Sequence, residues 1–404
     1  MKWLNHLSRV TSQRFFLPQI DGLRFIAITG VIAYHILQIC SYHFSASLKS
    51  GAGGAGDKII EEIFSAGRLG VTLFFAISGF MLSIPFARQY LCMAPPVQVR
   101  KYFVRRITRL MPPYVIHLAL LFLFCGLVLR HFPSHPALYY TKAWATYAWD
   151  HIFPSLFFAN GFLFRAHPYP NTVLWALEVE VQFYILVPWM AWIFMIPRKR
   201  FRRGLIVGAI LMGTIIRATI QPTYLYSFSL AGNIQYFLTG FLFCDLCLSE
   251  GIAPPEQRKI WDVLFLLAGG LVVLFQGRAI IEIMLPWLLL IILVAAFKGF
   301  FCVKFFSNPW IVTFGGMCYT IYMYHWLMIS IFLRATEKLQ THIFWFDIVV
   351  QFAVLSVTII FFCTFLFVML ERPFMQNDWH IKLWTALKSR LWPVSRRGNG
   401  KAAV

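Results

Sequence analysis

Ten apolar runs of roughly membrane-spanning length occupy most of this 404-residue sequence. A helix needs about 17–25 largely apolar residues to cross a bilayer, and in the absence of water a spanning segment must satisfy its own backbone polar groups. The runs cover residues 20–40, 69–87, 113–129, 171–196, 204–220, 230–248, 260–276, 279–297, 309–332 and 343–370. They predict an all-α, polytopic integral membrane bundle of about ten transmembrane helices. A content of 59% hydrophobic and 13% charged residues excludes an ordinary soluble protein.

The basic residues predict how the bundle is oriented. The formal net charge is +20, and most of the 36 Lys and Arg fall in alternate loops, with dense clusters at 100–109 and 198–203. Cytoplasmic loops of membrane proteins are enriched in Lys and Arg. We therefore expect both termini in the cytoplasm, and we interpret the charge as an orientation signal rather than as a surface for nucleic acid.

The distribution of apolar and basic residues divides the sequence into three predicted segments. Residues 1–19 mix aromatic and basic side chains and form an interfacial segment, residues 20–370 form the transmembrane domain, and residues 371–404 form a short basic cytoplasmic tail. The first apolar run is long and is followed by no small-residue cleavage site, so we expect no cleaved signal peptide. The stretch 154–164 is too short to span, and we interpret it as re-entrant or interfacial.

The cysteines and histidines do not form ligand clusters in the sequence. The eight cysteines are scattered, largely within the apolar runs, and the histidines of the longest outer loop are widely dispersed. A structural zinc site needs closely spaced Cys or His ligands. We therefore expect neither a disulfide framework nor a metal site.

The first apolar run contains the ionisable side chains of Arg24 and His35. A charge at the centre of a spanning helix costs about 2.5–3.5 kcal/mol, so such residues are functional candidates. The eleven-residue spacing is close to three helical turns and places both side chains on one face, roughly 16 Å apart. Asp21 lies within pairing distance of Arg24. The structural alternative is that Arg24 extends to the interface and His35 is an ordinary interior histidine.

Two later stretches also contain candidates. Arg106 and Arg109 share a helical face below the third apolar run. Arginine suits bidentate phosphate contacts, although a basic membrane anchor would have the same composition. In the second run, Ser78-Gly79 is the kind of small-residue site at which helices pack closely or a ligand approaches the backbone.

The fourth apolar run contains two acids, Glu178 and Glu180. Residues two apart point about 200° away from each other on a helix, so at most one of them faces a given cavity. The spacing alone does not decide which one does, and Glu178 has no assigned role.

Several of these stretches together resemble the acyltransferase 3 family, integral membrane acyltransferases that modify sugars and other envelope or secreted molecules. Asp21-Gly-Leu-Arg24, followed after ten residues by His35, is similar to the family's opening signature. The other similar stretches are FFAISGF at 74–80, RRITRLMPPY at 105–114, WALEVEVQFY at 175–184, YTIYMYH at 319–325 and ERP at 371–373. Ala176 and Thr320 stand where the family usually has serine, and Glu178 is an additional acid.

The resemblance implies an acyl-CoA-dependent O-acyltransferase of the bacterial inner membrane. The donor is expected to be acetyl-CoA or another short acyl-CoA. The acceptor is expected to be a hydroxyl of an envelope or exported carbohydrate, of the lipopolysaccharide or exopolysaccharide type, which can be lipid-linked. Partners are therefore membrane lipid and carbohydrate, without nucleic acid or metal.

The resemblance also implies roles for individual residues. The implied catalytic residues are His35, Arg24 and Glu180. The implied coenzyme A contacts are Arg24, Arg105, Arg106, Arg109, Ser78 and Gly79. The implied acceptor contacts are Trp175, Tyr184, Tyr322 and His325, with Asp21 and Glu371 in supporting positions.

The depths in the membrane at which the predicted helices place the candidate residues agree with acyl transfer from a cytoplasmic donor. At 1.5 Å per residue, His35, Glu180 and His325 fall near one level in the outer half of the membrane, whereas the candidate arginines lie at its inner surface. This suits a donor that enters from the cytoplasm. His35 would act as a general base or as a covalent acyl carrier, and both remain open. Glu180 would orient the acceptor or hold His35 in one tautomer.

Two other functional classes are compatible with parts of the pattern. A secondary transporter or flippase of a sugar or lipid-linked intermediate would also have many spans, buried charges and basic inner loops. Such proteins often contain internal repeats, and the sequence has none that we recognise. A scaffold without catalysis does not account for the cost of placing ionisable side chains in spanning helices.

Overall fold

The computed structural model describes residues 7, 9, 16–43, 54–131, 150–165, 167–168, 171–220, 223–250, 257–341, 343–376, 379 and 385, and this part of the chain is predominantly helical. Numbered in chain order, the α-helices are α1 Pro18–His43, α2 Ala55–Ala66, α3 Gly70–Leu91, α4 Val99–His131, α5 Asn160–Leu163, α6 Trp175–Met190, α7 Lys199–Thr219, α8 Tyr224–Ser227, α9 Leu230–Glu250, α10 Lys259–Phe275, α11 Ala279–Lys298, α12 Phe300–Phe306, α13 Pro309–Gly316, α14 Cys318–Thr336 and α15 Phe344–Leu366. A further short helix covers 150–156. The predicted all-α class is confirmed.

Many of these helices have the length and apolar character of membrane spans. Among the described residues, seven stretches qualify by length and composition: Pro18–Ser41, Ala55–Leu91, Val99–Phe124, Thr172–Met195, Leu230–Ser249, Ala279–Lys298 and Phe344–Met375. Helices α13 and α14 form an eighth if they count as one span, bent by 70°. These stretches identify a multi-pass membrane protein.

Two of the ten predicted runs lie outside that set of spans. The run 204–220 forms most of α7, which opens with KRFRR, and the run 260–276 forms α10, which has 17 residues. The basic first turn of α7 and the shortness of α10 separate them from the other apolar helices. The number of about ten spans therefore stays a prediction.

Helix α1 lies in the middle of the described bundle and packs against α2, α3, α11, α12, α13, α14 and α15. Its buried residues include Ile20, Leu23, Ile28 and Ile36, which are not confined to one stripe of the helix. A helix that is apolar on all sides is expected to be enclosed by others. The central position of α1 places Arg24 and His35 among other helices.

Glycines bring α3 and α9 into close contact. A Cβ added at Gly79 of α3 would collide with the carbonyl of Phe237, and one at Gly240 of α9 would collide with the carbonyl of Ala76. Small residues at such crossings allow two backbones to approach. Of the two interpretations of the small-residue site in α3, the structure supports helix packing for Gly79.

The chain bends by 70° at the break between α13 and α14, where Met317 is buried. Gly316 and Cys318, on either side of the break, both line a cavity. Backbone that departs from a helix at membrane depth is tolerated where it is enclosed by protein or lines a cavity. The break therefore contributes a wall to the candidate site.

Candidate active site

A cavity of about 130 Å³ lies between α1, α3, α4, α6, α13 and α14 and the helical turn that follows α15. Its charged lining consists of the guanidinium groups of Arg24, Arg106 and Arg109 and the carboxylates of Glu180 and Glu371. Hydroxyl groups of Ser78, Tyr184, Tyr319 and Tyr322 and several apolar side chains complete the wall. Motif residues far apart in the sequence thus meet in one place.

Arg24 is held at the cavity by Asp21. Its Nη1 atom lies 2.7 Å from Oδ1 of Asp21, the pairing that the three-residue spacing predicts. The Nε atom of Arg9 lies 2.8 Å from the other carboxylate oxygen. The Asp21 side chain is fully buried between the two arginines. Because a buried charge is costly unless it is paired, this ion pair stabilises Arg24 inside the protein.

The other two cavity arginines come from one face of α4. The guanidinium carbon of Arg106 lies 5.9 Å from the ring centroid of Tyr102 and 5.7 Å from that of Tyr184, within the range of cation–π contacts. Arg109, one turn further on, keeps a large part of its surface accessible while lining the cavity. Arg105 is exposed and does not line the cavity. The predicted coenzyme A contact of Arg105 is therefore not supported by its position.

Glu180 is the acid of α6 that faces the cavity. Its Oε1 atom accepts hydrogen bonds from Oγ of Ser78 at 2.7 Å and from the hydroxyl of Tyr184 at 2.6 Å. The carboxylate thereby joins α6 to α3 and orients two further cavity hydroxyls. Glu371 accepts hydrogen bonds from both the backbone N–H and the hydroxyl of Thr320, which joins the helical turn after α15 to α14.

His35 lies beside the cavity rather than in its lining. Its ring centroid is 5.2 Å from that of His325 and 5.0 Å from that of Trp326, both on α14. Its Nδ1 atom lies 3.1 Å from Oε1 of Gln38. Glu180 is bonded to other partners, so the structure does not support the predicted contact through which Glu180 would hold the tautomer of His35.

Tyr322 and His325 separate the cavity from His35. Tyr322 lines the cavity, and its hydroxyl donates to the carbonyl of Val173 at 2.5 Å. Its ring centroid lies 5.7 Å from that of His325, which in turn contacts His35. Nδ1 of His325 donates to the carbonyl of Tyr322 at 2.8 Å, and its buried Nε2 has no hydrogen-bond partner among the described residues.

Trp175 and Gly79 lie outside the cavity. The Trp175 ring packs against Phe75 and Phe228, at centroid distances of 6.0 and 4.8 Å. Gly79 packs against the Phe237 carbonyl, as described above, whereas its neighbour Ser78 lines the cavity. Of the two candidate residues in the small-residue site, only the serine is placed to meet a ligand.

Glu178 has a distinct position that sequence reasoning did not assign. It is buried, and it accepts hydrogen bonds from the backbone N–H of Asn160 at 3.1 Å and of Gly161 at 3.0 Å. The Asn160 side chain donates to it as well, at 3.1 Å, and also contacts Nδ1 of His151. Glu178 thus fastens the segment 150–165, interpreted above as re-entrant or interfacial, to α6. The feature of the sequence that pointed to separate roles was that Glu178 and Glu180 face nearly opposite sides of the helix.

Gln38 and Tyr319 are further site residues that the sequence did not single out. Gln38 contacts His35, and Tyr319 lines the cavity while its hydroxyl donates to the carbonyl of Leu110 at 3.0 Å. Gln38 follows His35 by three residues, a spacing at which helical side chains meet, and that spacing was the signal for it.

Comparison with known proteins agrees with this set of motifs. A protein of Staphylococcus aureus strain COL named "Putative O-acetyltransferase" is 25% identical over 397 residues, which cover 90% of this chain and 58% of the relative. The O-acetyltransferase OatA of S. aureus strain NCTC 8325 is 25% identical over 360 residues, covering 81% of this chain and 53% of OatA. The chain thus spans a little over half the length of these relatives.

No solved structure matches the chain. The family model described as "Acyltransferase domain" matches residues 17–370, which include α1, the cavity arginines, Glu180, the His325 region and the final turn near Glu371. Because the match extends over most of the chain, it assigns the family directly. The chain belongs to the acyltransferase 3 family.

Proposed function

We propose that this protein transfers an acyl group, most often acetyl, from cytoplasmic acyl-CoA to a hydroxyl of an envelope or exported carbohydrate. The observation that carries this proposal is the convergence of Arg24, Arg106 and Arg109 on one cavity whose wall, Tyr322, contacts the histidine pair next to it. The names of the relatives support acetyl as the group and oxygen as its destination.

The cavity is suited to the charged part of the donor. Coenzyme A carries phosphate groups, and arginine binds phosphate oxygens through paired N–H donors. Asp21 neutralises part of the charge of Arg24, whereas Arg106 rests on two aromatic rings and Arg109 retains accessible surface. We propose that Arg106 and Arg109 bind donor phosphates and that Arg24 extends this surface toward α1.

In the proposed reaction, His35 acts on the acceptor or on the acyl group itself. As a general base, it takes the proton from the acceptor O–H while that oxygen attacks the thioester carbonyl, and the C–S bond breaks to release coenzyme A. As a nucleophile, it first takes the acyl group from sulfur and then passes it to the acceptor oxygen. Either route requires the thioester to pass the layer formed by Tyr322 and His325.

The proposed arrangement in the membrane follows from the charge of the loops. About ten spans with cytoplasmic termini place the basic start of α4 on the inner side, where acyl-CoA is available. His35 then lies nearer to the outer face, where a lipopolysaccharide or exopolysaccharide hydroxyl would approach. The proposed location is the bacterial inner membrane.

The test uses inside-out vesicles supplied with radiolabelled acetyl-CoA, and it follows label into lipid-linked and polysaccharide fractions. Wild type is expected to transfer label, and His35→Ala is expected to abolish transfer. Arg106→Ala is expected to raise the KM for acetyl-CoA about 10- to 100-fold, because a hydrogen bond to a charged group contributes about 1.5–3 kcal/mol.

Arg105→Ala is the matched control, since it removes an adjacent arginine of the same helix that is exposed outside the cavity. Its KM is expected to stay close to that of wild type. Full transfer by His35→Ala, or equal effects of the two arginine variants, would contradict the proposed site. If the protein is normally inserted but the vesicles neither bind coenzyme A nor transfer label, the result would favour the transporter or flippase function instead.

A further inference from the structure

Three side chains of α1 form a short hydrogen-bonded chain that ends at His35. Nδ1 of His35 lies 3.1 Å from Oε1 of Gln38, and Nε2 of Gln38 donates to the hydroxyl of Tyr34 at 2.8 Å. Residues three and four apart meet on the surface of a helix, which brings these groups together without any other element. Gln38 is exposed, whereas His35 is half-buried.

The contacts of the Gln38 amide determine which nitrogen of His35 carries hydrogen. In the structure, Nε2 of the amide donates to the Tyr34 hydroxyl and Oε1 faces Nδ1 of His35. A carbonyl oxygen only accepts, and Nδ1 of His35 must therefore carry the proton. In a neutral imidazole this leaves the lone pair on Nε2.

The neighbours of His35 on α14 do not change which of its nitrogens carries the hydrogen. Nδ1 of His325 donates to the carbonyl of Tyr322, so its other nitrogen has a lone pair and no hydrogen to offer to His35. Trp326 packs with its ring nearly perpendicular to that of His35, at an interplanar angle of 83°. Within the part of the chain that the structure describes, the hydrogen bond of His35 is the one with Gln38.

We propose that Gln38 is a positioning residue that holds His35 in its Nδ1–H tautomer and thereby presents Nε2 as the reactive nitrogen. This inference rests on the proposed function. In the general-base route, Nε2 gains the acceptor proton as the acceptor oxygen bonds to the acyl carbon and the C–S bond breaks. That proton then passes to the departing thiolate, so His35 returns to its starting form. Gln38 accepts from Nδ1–H throughout and stabilises the imidazolium.

The test compares Gln38→Leu with Gln38→Glu in the vesicle assay. Leucine removes the acceptor, whereas glutamate keeps an oxygen that accepts from Nδ1–H. Gln38→Leu is expected to lower kcat about 10- to 100-fold, as losses of orienting partners of histidine ligands do, with the KM for acetyl-CoA unchanged. Gln38→Glu is expected to restore most of kcat. Tyr34→Phe, which frees the Gln38 amide to rotate, is expected to give a smaller loss.

A second measurement determines the tautomer of His35 from spectra and does not depend on transfer activity. The full chain is labelled with ¹⁵N-histidine, and the His35 signals are identified by subtracting the spectrum of His35→Asn. Wild type is expected to show a protonated Nδ1 and an unprotonated Nε2, and Gln38→Leu is expected to show a mixture of tautomers. The elution volume in detergent and the thermal midpoint confirm that each variant is folded.

The outcomes separate the two proposals. A wild-type His35 protonated on Nε2, or a Gln38→Leu variant with unchanged kcat and an unchanged spectrum, would overturn the role of Gln38. If wild type transfers no label but the spectra change as expected, the proposed function fails and the tautomer assignment stands.

Discussion

At the scale of single residues, the cavity shows how arginines are made stable inside a membrane protein. Asp21 offers one carboxylate oxygen to Arg24 and the other to Arg9. Arg106 is instead stabilised by the faces of two tyrosine rings, and Arg109 by access to the cavity. Each solution lowers the cost of placing a charge in the protein, and each leaves guanidinium donors available for an anionic ligand.

A matched pair of substitutions on α6 tests whether Glu180 acts in the cavity while Glu178 holds the segment 150–165. Glu180→Gln is expected to lower kcat about tenfold, because it replaces charge-assisted hydrogen bonds to Ser78 and Tyr184 by neutral ones. It is not expected to raise the KM for acetyl-CoA, since it removes a negative charge from the cavity proposed to bind the donor phosphates. Steady-state transfer kinetics in vesicles measure both quantities.

Glu178→Gln, the same change two residues away, is expected to leave both kinetic constants near wild type. It weakens the acceptor of the Asn160 and Gly161 backbone groups, so amide hydrogen exchange over 157–165 is expected to become faster. Mass spectrometry of exchanged peptides measures this. Faster exchange in Glu180→Gln than in Glu178→Gln would contradict the assignment.

At the scale of elements, the site depends on how closely helices approach. Helices α3 and α9 cross where the Gly79 and Gly240 backbones touch the opposite helix. That crossing holds α3 in the rotation that turns Ser78 toward Glu180. The close packing at Gly79 therefore positions its neighbour Ser78.

Gly79→Ala and Gly208→Ala test this crossing with the same substitution. The added methyl group at Gly79 meets a backbone carbonyl, and overpacking of this kind costs about 1–3 kcal/mol. At Gly208 of α7 a Cβ meets no atom within 4 Å, so the substitution is expected to be neutral or to stabilise by about 0.5–1 kcal/mol. Thermal unfolding in detergent gives both values. A Gly79→Ala protein as stable as wild type would show that the helices can separate at no cost.

At the scale of the whole molecule, the structure has an arginine-lined cavity and a histidine pair in neighbouring but separate places. Helix α14 serves both, because Tyr322 faces the cavity and His325 faces His35. The break before α14 also contributes cavity wall at Gly316.

The orientation of the bundle is testable with a native cysteine. Cys92 is exposed in the connection between α3 and α4, on the side predicted to be cytoplasmic. A membrane-impermeant maleimide is expected to label it in inside-out vesicles and not in intact cells. An added cysteine, Ile59→Cys on the exposed face of α2 in a Cys92→Ser background, is expected to show the opposite result. Labelling of wild type from outside intact cells, with Cys92→Ser as the control, would reverse the predicted topology.

Local patterns in the sequence were sufficient for the helical class, the membrane character and the pairing of Asp21 with Arg24. Each depends on residues close together in the chain: apolar runs must form helices in a bilayer, and a three-residue spacing brings two side chains together. The motifs were also sufficient to identify the family, because they occur in order over most of the chain.

Only the tertiary structure decided which residues of each motif meet. Arg106 enters the cavity and Arg105 does not, Ser78 faces Glu180 while Gly79 packs on α9, and His35 contacts Gln38 and α14 outside the cavity lining. These outcomes depend on the rotation of each helix about its axis and on the distance between helices. Both are set by packing between segments hundreds of residues apart, which no local pattern in the sequence contains.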